Sequence, residues 1–141
     1  MTQTQLLLLP AFLHVGLIMV LAARMGRGRV RAVRSGAVRV KDIALDGSRW
    51  PEDIRKLANN YQSQFEIPML YYAALALLLA TGLADWLAIA LSWIFVGTRI
   101  IHTAIHTGGN VMVRRFYAFA AGFACLALMW AWFGLRLFWI G

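Results

Sequence analysis

The sequence contains few of the residues that cover the surface of a water-soluble domain. Only 14% of its 141 residues are charged and six are acidic, whereas soluble domains have about 25% charged residues. Hydrophobic residues make up 61% of the chain, against about 45–50% in soluble domains. The single cysteine, Cys125, excludes an internal disulfide and is expected to act as a small buried hydrophobic residue. The low content of charged residues and the high content of hydrophobic residues predict that this chain lies in a lipid bilayer.

Four long apolar runs account for the hydrophobic excess, over residues 6–23, 60–83, 86–105 and 116–139. Each is close to the ~20 residues that cross about 30 Å of hydrocarbon, where the backbone must form helices to satisfy its own hydrogen bonds. Pro51 followed by two acids is typical of a helix start, and Pro68 predicts a kink. We therefore predict one all-α domain, residues 1–141: an integral membrane four-helix bundle of up-down topology, with helices over about 6–23, 51–83, 86–112 and 116–139.

The distribution of basic residues predicts the orientation of this bundle. Ten of the fourteen Lys and Arg residues lie between Arg24 and Lys56. Such a block could bind nucleic acid, but in so apolar a chain it is typical of a cytoplasmic loop, here about residues 24–50, of which 26–47 are expected to be flexible. Residues 81–85 contain no Lys or Arg, whereas the third connection contains Arg114 and Arg115. The alternation places both termini on the non-cytoplasmic side, and the lack of basic residues in 1–5 favours a retained first helix.

Two polar stripes interrupt the apolar runs, and each lies on one face of its helix. The first, on helix two, contains Arg55, Asn59, Gln62, Ser63 and Glu66. The second, at the end of helix three, contains Arg99, His102, His106, Asn110 and Arg114. Both are expected in the cytoplasmic half of the membrane, where they would face each other across a basic pocket containing an ion pair of Arg99 with Glu66. Such a pocket suits a small anion with carboxylates, or a thiolate; the alternative is that these residues are solvated or hold helices together.

The histidines allow a further interpretation. His102 and His106 are four residues apart and could bind a metal or a haem, but too few other ligands lie nearby, so no metal site is predicted. His14 stands alone on helix one, toward the other side of the membrane, and is expected to be a hydrogen-bonded packing residue.

Two segments that contain these residues, 59–68 (NNYQSQFEIP) and 99–110 (RIIHTAIHTGGN), resemble the MAPEG family, the membrane-associated proteins in eicosanoid and glutathione metabolism. The second segment resembles bacterial members. The resemblance covers most of the chain and implies a homotrimer in a bacterial cytoplasmic (inner) membrane. It also implies that glutathione binds between neighbouring subunits at the cytoplasmic side, together with a lipophilic small molecule.

The resemblance also implies roles for individual residues. On helix two, Arg55, Asn59 and Gln62 fit the family's glutathione-binding pattern, with Gln62 where the family has Glu, and Glu66 lies one turn later. On helix three, His102 and His106 stand after Arg99 where eukaryotic members have tyrosines. The residue that activates the thiol corresponds to Arg114, or alternatively to Arg115.

Together these observations lead to three hypotheses about function. The first is a glutathione S-transferase or peroxidase acting on lipophilic electrophiles, in which Arg114 is catalytic. Its predicted ligand-binding residues are Arg55, Asn59, Gln62, Glu66, Arg99, His102, His106 and Asn110. The second is a non-catalytic membrane binding or assembly protein on the same scaffold, which the Glu-to-Gln and Tyr-to-His departures favour. The third is a metal or haem carrier that uses the two histidines.

Overall fold

The computed structural model describes residues 1–44 and 46–140, and this part of the chain is helical without strands. Its helices are α1 (Gln3–Arg34), α2 (Val40–Ile43), α3 (Glu52–Ser63), α4 (Pro68–Ala80), α5 (Trp86–Thr107) and α6 (Met112–Leu135). A 3₁₀ turn, Gly47–Arg49, precedes α3, and a π-helical turn, Arg136–Ile140, follows α6. In the described residues, four helical stretches are long and apolar enough to cross a membrane: α1, α3 with α4, α5, and α6 with part of the final turn. The prediction of an all-α membrane four-helix bundle is confirmed.

Both ends of the described chain lie at the same end of the bundle. Near the beginning of α1, the Leu7 carbonyl accepts a hydrogen bond from Ser92 Oγ at 3.2 Å. After α6, Arg136 Nη1 lies 2.6 Å from the Asp85 carboxylate, which precedes α5. We call this the Asp85 end. The opposite end contains the segment from Arg24 to Lys56, and we call it the basic end.

The apolar core lies between these ends. Leu7, Tyr71 and Phe95 are completely buried, and the rings of Tyr71 and Phe95 stack with their centroids 4.7 Å apart. The Tyr71 hydroxyl also shares a hydrogen bond with Ser92 Oγ at 2.7 Å. Cys125 is buried in this core, and its thiol donates to a backbone carbonyl at 3.1 Å, as expected for a small packing residue.

The first helix is longer than predicted. The sequence predicted a helix over about 6–23 and then a flexible loop, but α1 continues to Arg34. The reason is a contact with α3: Ala32 is buried, and the position of a Cβ on Gly28 would lie only 3.2 Å from Ile54 Cγ1. Small residues therefore let α1 pack closely on α3 beyond the apolar run. We predicted a loop here because Gly and Arg alternate without a clear apolar period.

The second membrane-crossing helix is broken rather than simply kinked. It ends as α3 at Ser63 and begins again as α4 at Pro68, which has no N–H to continue the hydrogen-bond ladder. The disturbance at Pro68 was predicted; the length of the break was not. Arg99 compensates for it, because its Nη2 donates to the free Ser63 carbonyl at 2.9 Å and to Ser63 Oγ at 3.1 Å.

The connection between α5 and α6 lies at residues other than those predicted. The sequence predicted helices over about 86–112 and 116–139, whereas α5 ends at Thr107 and α6 begins at Met112. The chain turns at Asn110, the single described non-glycine residue with a positive φ, 48°. Asparagine tolerates this left-handed conformation better than most residues, which fits its position in a tight turn.

Candidate functional site

A buried hydrogen-bond network centres on Gln64, in the break between α3 and α4. Gln64 is 1% exposed, and its Oε1 accepts hydrogen bonds from Arg99 Nε at 3.3 Å and Arg99 Nη2 at 3.2 Å. Its Nε2 donates to Asn60 Oδ1 at 2.9 Å and to Thr103 Oγ1 at 3.2 Å. We call Gln64, Arg99, Asn60, Thr103 and His14 the Gln64 network. It ties α1, α3 and α5 together.

His14 belongs to this network through both ring nitrogens. Its Nε2 lies 3.0 Å from Gln64 Oε1 and its Nδ1 lies 2.7 Å from the Tyr72 hydroxyl. Because an amide oxygen can only accept, Nε2 is the donor, so in a neutral ring Nδ1 accepts from Tyr72. The prediction of a hydrogen-bonded packing residue is confirmed, since His14 is fully buried. Its partner Gln64 also accepts from Arg99, so His14 lies at the level of the break between α3 and α4.

The predicted ion pair between Arg99 and Glu66 is wrong. Within residues 1–44 and 46–140, no salt bridge joins these two side chains. Arg99 is 3% exposed and donates to Gln64 and Ser63, both neutral. Glu66 is exposed and accepts a long hydrogen bond, 3.4 Å, from Gln62 Nε2. The pocket with one buried acid, expected between the two stripes, is therefore not formed within this chain.

The reason is the rotation of α3. Its buried face contains Ile54 and Asn60, and the same side continues into Gln64. Four of the five stripe residues lie on the other side, where Arg55, Asn59, Gln62 and Glu66 are exposed, while the fifth, Ser63, accepts from Arg99. Since polar residues occur on both faces of α3, periodicity alone could not tell them apart. The signal that was missed is that Asn60 and Gln64 are four residues apart and so share one face of the helix. This face contacts Arg99 and Thr103 of α5.

At the basic end, an open cleft of about 590 Å³ brings several predicted residues together. We call it the polar cleft. Its wall includes Arg29, Trp50, Glu52, Arg55, Lys56, Asn59 and Asn110. Of the predicted site residues, it unites Arg55 and Asn59 from α3 with Asn110 from the turn before α6. Arg29 and Trp50 were not predicted, because both lie in the segment that the sequence indicated as a flexible loop.

Positive charge dominates the polar cleft. The Arg29 guanidinium lies over the Trp50 ring at 5.3 Å, and Lys56 Nζ pairs with the Glu52 carboxylate at 2.8 Å. Beside the cleft, Asp46 accepts from the backbone N–H of Ser48 at 2.9 Å. Hydrogen bonds from Ser48 lower the pKa of the Asp46 carboxyl. The cleft therefore offers guanidinium, ammonium and amide donors, a set that suits an anion with carboxylates.

Two buried histidines lie on α5 near this cleft. His102 and His106 are 5% and 7% exposed, and their rings meet edge to face with centroids 5.6 Å apart. Within the described chain, the Nδ1 atoms of both and the Nδ2 atom of Asn60 have no hydrogen-bond partner. The described residues contain no group of three or more His, Cys, Asp or Glu that could hold a metal.

The two arginines at the start of α6 differ in their surroundings. Arg115 is half-buried and its Nη1 donates to Asn110 Oδ1 at 2.8 Å, so it is fixed to a residue of the polar cleft. Arg114 is exposed. Of the two arginines considered from the sequence, Arg115 is thus the one that the structure links to the cleft.

A second cavity, of about 610 Å³, opens on the side of the bundle between α1 and the α3–α4 break. Val15, Ile18, Met19 and Phe65 form its apolar walls, and Gln64, Tyr61 and Tyr72 supply its polar groups. We call it the lateral groove. Its opening lies beside helices that are long and apolar enough to cross a membrane.

Comparison with known proteins gives one match. The family model described as the MAPEG family matches residues 7–135, which includes the Gln64 network, the polar cleft and the lateral groove. Comparisons with curated proteins and with solved structures gave no match.

Proposed function

This chain belongs to the MAPEG family, and from that premise we propose that it is a glutathione-binding membrane enzyme, a transferase or peroxidase acting on lipophilic electrophiles. The observation that carries the proposal is the polar cleft. Its volume of about 590 Å³ is within the usual range of small-molecule sites, about 300–1,000 Å³. It is lined by Arg29, Arg55, Lys56, two asparagines and one acid, Glu52, and glutathione presents two carboxylates, two peptide groups and one ammonium to such a wall.

Within the cleft, we assign glutathione contacts to three residues. Arg55 would hold a carboxylate in a bidentate pair, which its planar guanidinium favours. Asn59 and Asn110 would bind the peptide groups of the tripeptide from opposite sides of the cleft. This assignment is supported by the position of all three side chains on one cavity.

The thiol of glutathione must lose its proton to attack an electrophile, because the thiolate is the nucleophile. We propose that an arginine at the start of α6 stabilises this thiolate. Arg114 is the residue that corresponds to the family's arginine, while Arg115 is supported by its 2.8 Å hydrogen bond to Asn110. The sulfur would then bond to the electrophilic carbon as the leaving group departs with the bonding electron pair. In the peroxidase reaction it would instead bond to the terminal peroxide oxygen as the O–O bond breaks. The alkoxide formed takes a proton from water to give the alcohol, and a second glutathione converts the sulfenic acid to the disulfide with loss of water.

We further propose that a neighbouring copy of the chain completes the site in a homotrimer. Gln62 and Glu66 are exposed on a helix that crosses the membrane, where an ionisable group facing lipid is costly. A second subunit packed on this face would give both side chains polar partners and let them contact glutathione. His102 and His106 would line the same site from α5, and Arg99 would position the α3 face by closing the helix break.

The lateral groove is the proposed entry for the second substrate. Its apolar walls and its opening toward lipid suit a molecule that partitions into the membrane. Glutathione would instead enter from water at the basic end. We propose that this end faces the cytoplasm of a bacterium, since loops rich in Arg and Lys stay on that side of an inner membrane.

The proposal is tested by thiol conjugation to a small aromatic electrophile, using purified full-length protein in detergent. We expect glutathione-dependent turnover above the uncatalysed rate and a thermal shift with glutathione. Arg114→Ala and Arg115→Ala should separate the two arginines, because the thiolate-stabilising one should show the larger loss of turnover. If neither turnover nor a thermal shift is observed, the proposal is wrong.

One observation favours the alternative of a non-catalytic binding or assembly protein. Arg99, an arginine of the predicted site, is 3% exposed and directs its Nε and Nη2 donors to Ser63 and Gln64. On this alternative the polar residues of α3 and α5 serve helix packing. It predicts that glutathione binds without turnover or does not bind, and that neither Arg114→Ala nor Arg115→Ala changes the phenotype of the cell.

A further inference from the structure

The part of α1 that extends beyond the apolar run has a charged face of its own. Residues 24–34 contain five arginines and no acid. Four of the five are exposed on one side of the helix, spaced i, i+3, i+7 and i+10, which spans about 80° of its circumference at 3.6 residues per turn. We call these four the arginine stripe: Arg24, Arg27, Arg31 and Arg34.

The arginine stripe has no acidic partner in the described chain. No salt bridge there includes any of its four residues. Other cations of the basic end are engaged: Arg49 lies near Asp42 and Asp46, and Lys56 pairs with Glu52. The fifth arginine of the segment, Arg29, lies on another side of α1, over Trp50. The positive-inside bias accounts for the number of cations here but not for their alignment on one face.

Packing fixes the direction of this stripe. Gly28 and Ala32 lie against α3 on a different side of α1, so the stripe points away from the bundle. A shallow, largely apolar depression of about 690 Å³ lies beside the stripe and is lined by Gly26, Arg27, Val30, Arg31 and Arg34. Three of the four stripe arginines therefore border one apolar surface.

The position of the stripe relative to the membrane indicates its partner. Arg24 directly follows the apolar run, at the level where hydrocarbon meets headgroups, and Arg34 lies about 15 Å further along the helix at 1.5 Å per residue. Val20, which is 55% exposed, continues the same face into the hydrocarbon. Guanidinium groups bind phosphate oxygens in bidentate pairs. A molecule with phosphate at one end and acyl chains at the other would match both parts of this face.

We propose that the arginine stripe binds the phosphate headgroup of an anionic phospholipid of the adjacent leaflet, whose acyl chain packs along α1 beside Val20. This site is separate from the polar cleft and does not rest on the proposed enzyme activity. It would anchor α1 at a fixed height in the membrane.

The test compares two double variants that remove the same charge. Arg27→Gln with Arg31→Gln removes two cations from the stripe, and Arg39→Gln with Lys41→Gln removes two exposed cations from the segment that follows. Binding of phosphatidylglycerol and of phosphatidylcholine to the purified full chain is measured by native mass spectrometry in detergent. Since a basic residue near an anionic surface contributes about a five-fold change in affinity, the stripe variant should bind phosphatidylglycerol roughly 30-fold more weakly. The control should bind it like the wild type.

Three results would overturn the proposal. One is an equal affinity of the wild type for phosphatidylglycerol and phosphatidylcholine. Another is an equal loss in both double variants, which would mean non-directional attraction. The third is competition by free glycerol phosphate at the concentrations at which the lipid binds, which would indicate a soluble phosphate ligand. Should the double variant be unstable, Arg31→Gln alone is expected to weaken binding about five-fold.

Discussion

Replacing Gln64 by leucine should destabilise the protein more than any similar change on the exposed face of α3. Gln64 Oε1 is the shared acceptor for two groups, the Arg99 guanidinium and His14 Nε2. Leucine has nearly the same volume but no acceptor, so both donors would stay buried with one partner fewer. A lost hydrogen bond to a charged group costs about 1.5–3 kcal/mol and a neutral one about 1 kcal/mol. The expected loss in the free energy of unfolding is therefore about 3 kcal/mol.

The assay is reversible unfolding in mixed micelles, followed by helical circular dichroism. Gln62→Leu is the matched control, because Gln62 is exposed and makes one hydrogen bond of 3.4 Å; its effect should stay within about 0.5 kcal/mol. Gln64→Glu should cost less than Gln64→Leu, because a carboxylate still accepts from Arg99 and supplies the missing counter-ion. Equal stability of the wild type and Gln64→Leu would refute the claim that Arg99 depends on this amide.

Three further predictions concern helix packing, the Asp85 end and the lateral groove. Gly122→Ala should lower the free energy of unfolding by about 1–3 kcal/mol, because a Cβ there would lie 2.7 Å from Thr98 Oγ1. Gly134→Ala is the control in the same assay and should be neutral, because nothing lies within 4 Å of a Cβ at that position. Asp85→Asn should lower the free energy of unfolding by about 1–3 kcal/mol, since it weakens the 2.6 Å contact with Arg136; a change below about 0.5 kcal/mol would contradict it. Met19→Trp, which fills the lateral groove from an exposed position, should raise the KM for the lipophilic substrate and leave that for glutathione unchanged; equal changes would argue against separate entry routes.

The sequence was sufficient to predict which parts of the chain cross the membrane. Apolar length determines this property, and the four spans follow from it. The sequence did not reveal where α1 ends, because the helix is extended by a contact between Gly28 and Ile54, two residues far apart in sequence. A glycine in a basic segment resembles a loop until its packing partner is known.

Only part of the candidate site could be predicted from the sequence, and the reason is again a packing contact. Polar residues on α3 occupy both faces, so the choice between Asn59 and Asn60 as the buried residue required the structure. The structure buries Asn60 and Gln64, and it leaves Glu66 exposed and Arg99 with neutral partners. Arg55, Asn59 and Asn110 line one cavity, although Asn110 lies in the turn between α5 and α6 and not on the helix that its spacing predicted.

The measurement that tests the central claim most directly is an electron cryomicroscopy map of the protein in nanodiscs with glutathione. The account predicts density for a tripeptide in the polar cleft, with a carboxylate beside Arg55 and its peptide groups beside Asn59 and Asn110. The same map of an Arg55→Ala variant should lack this density. A glutathione-saturated sample whose cleft is empty, or in which the tripeptide lies at a site away from these three residues, would contradict it.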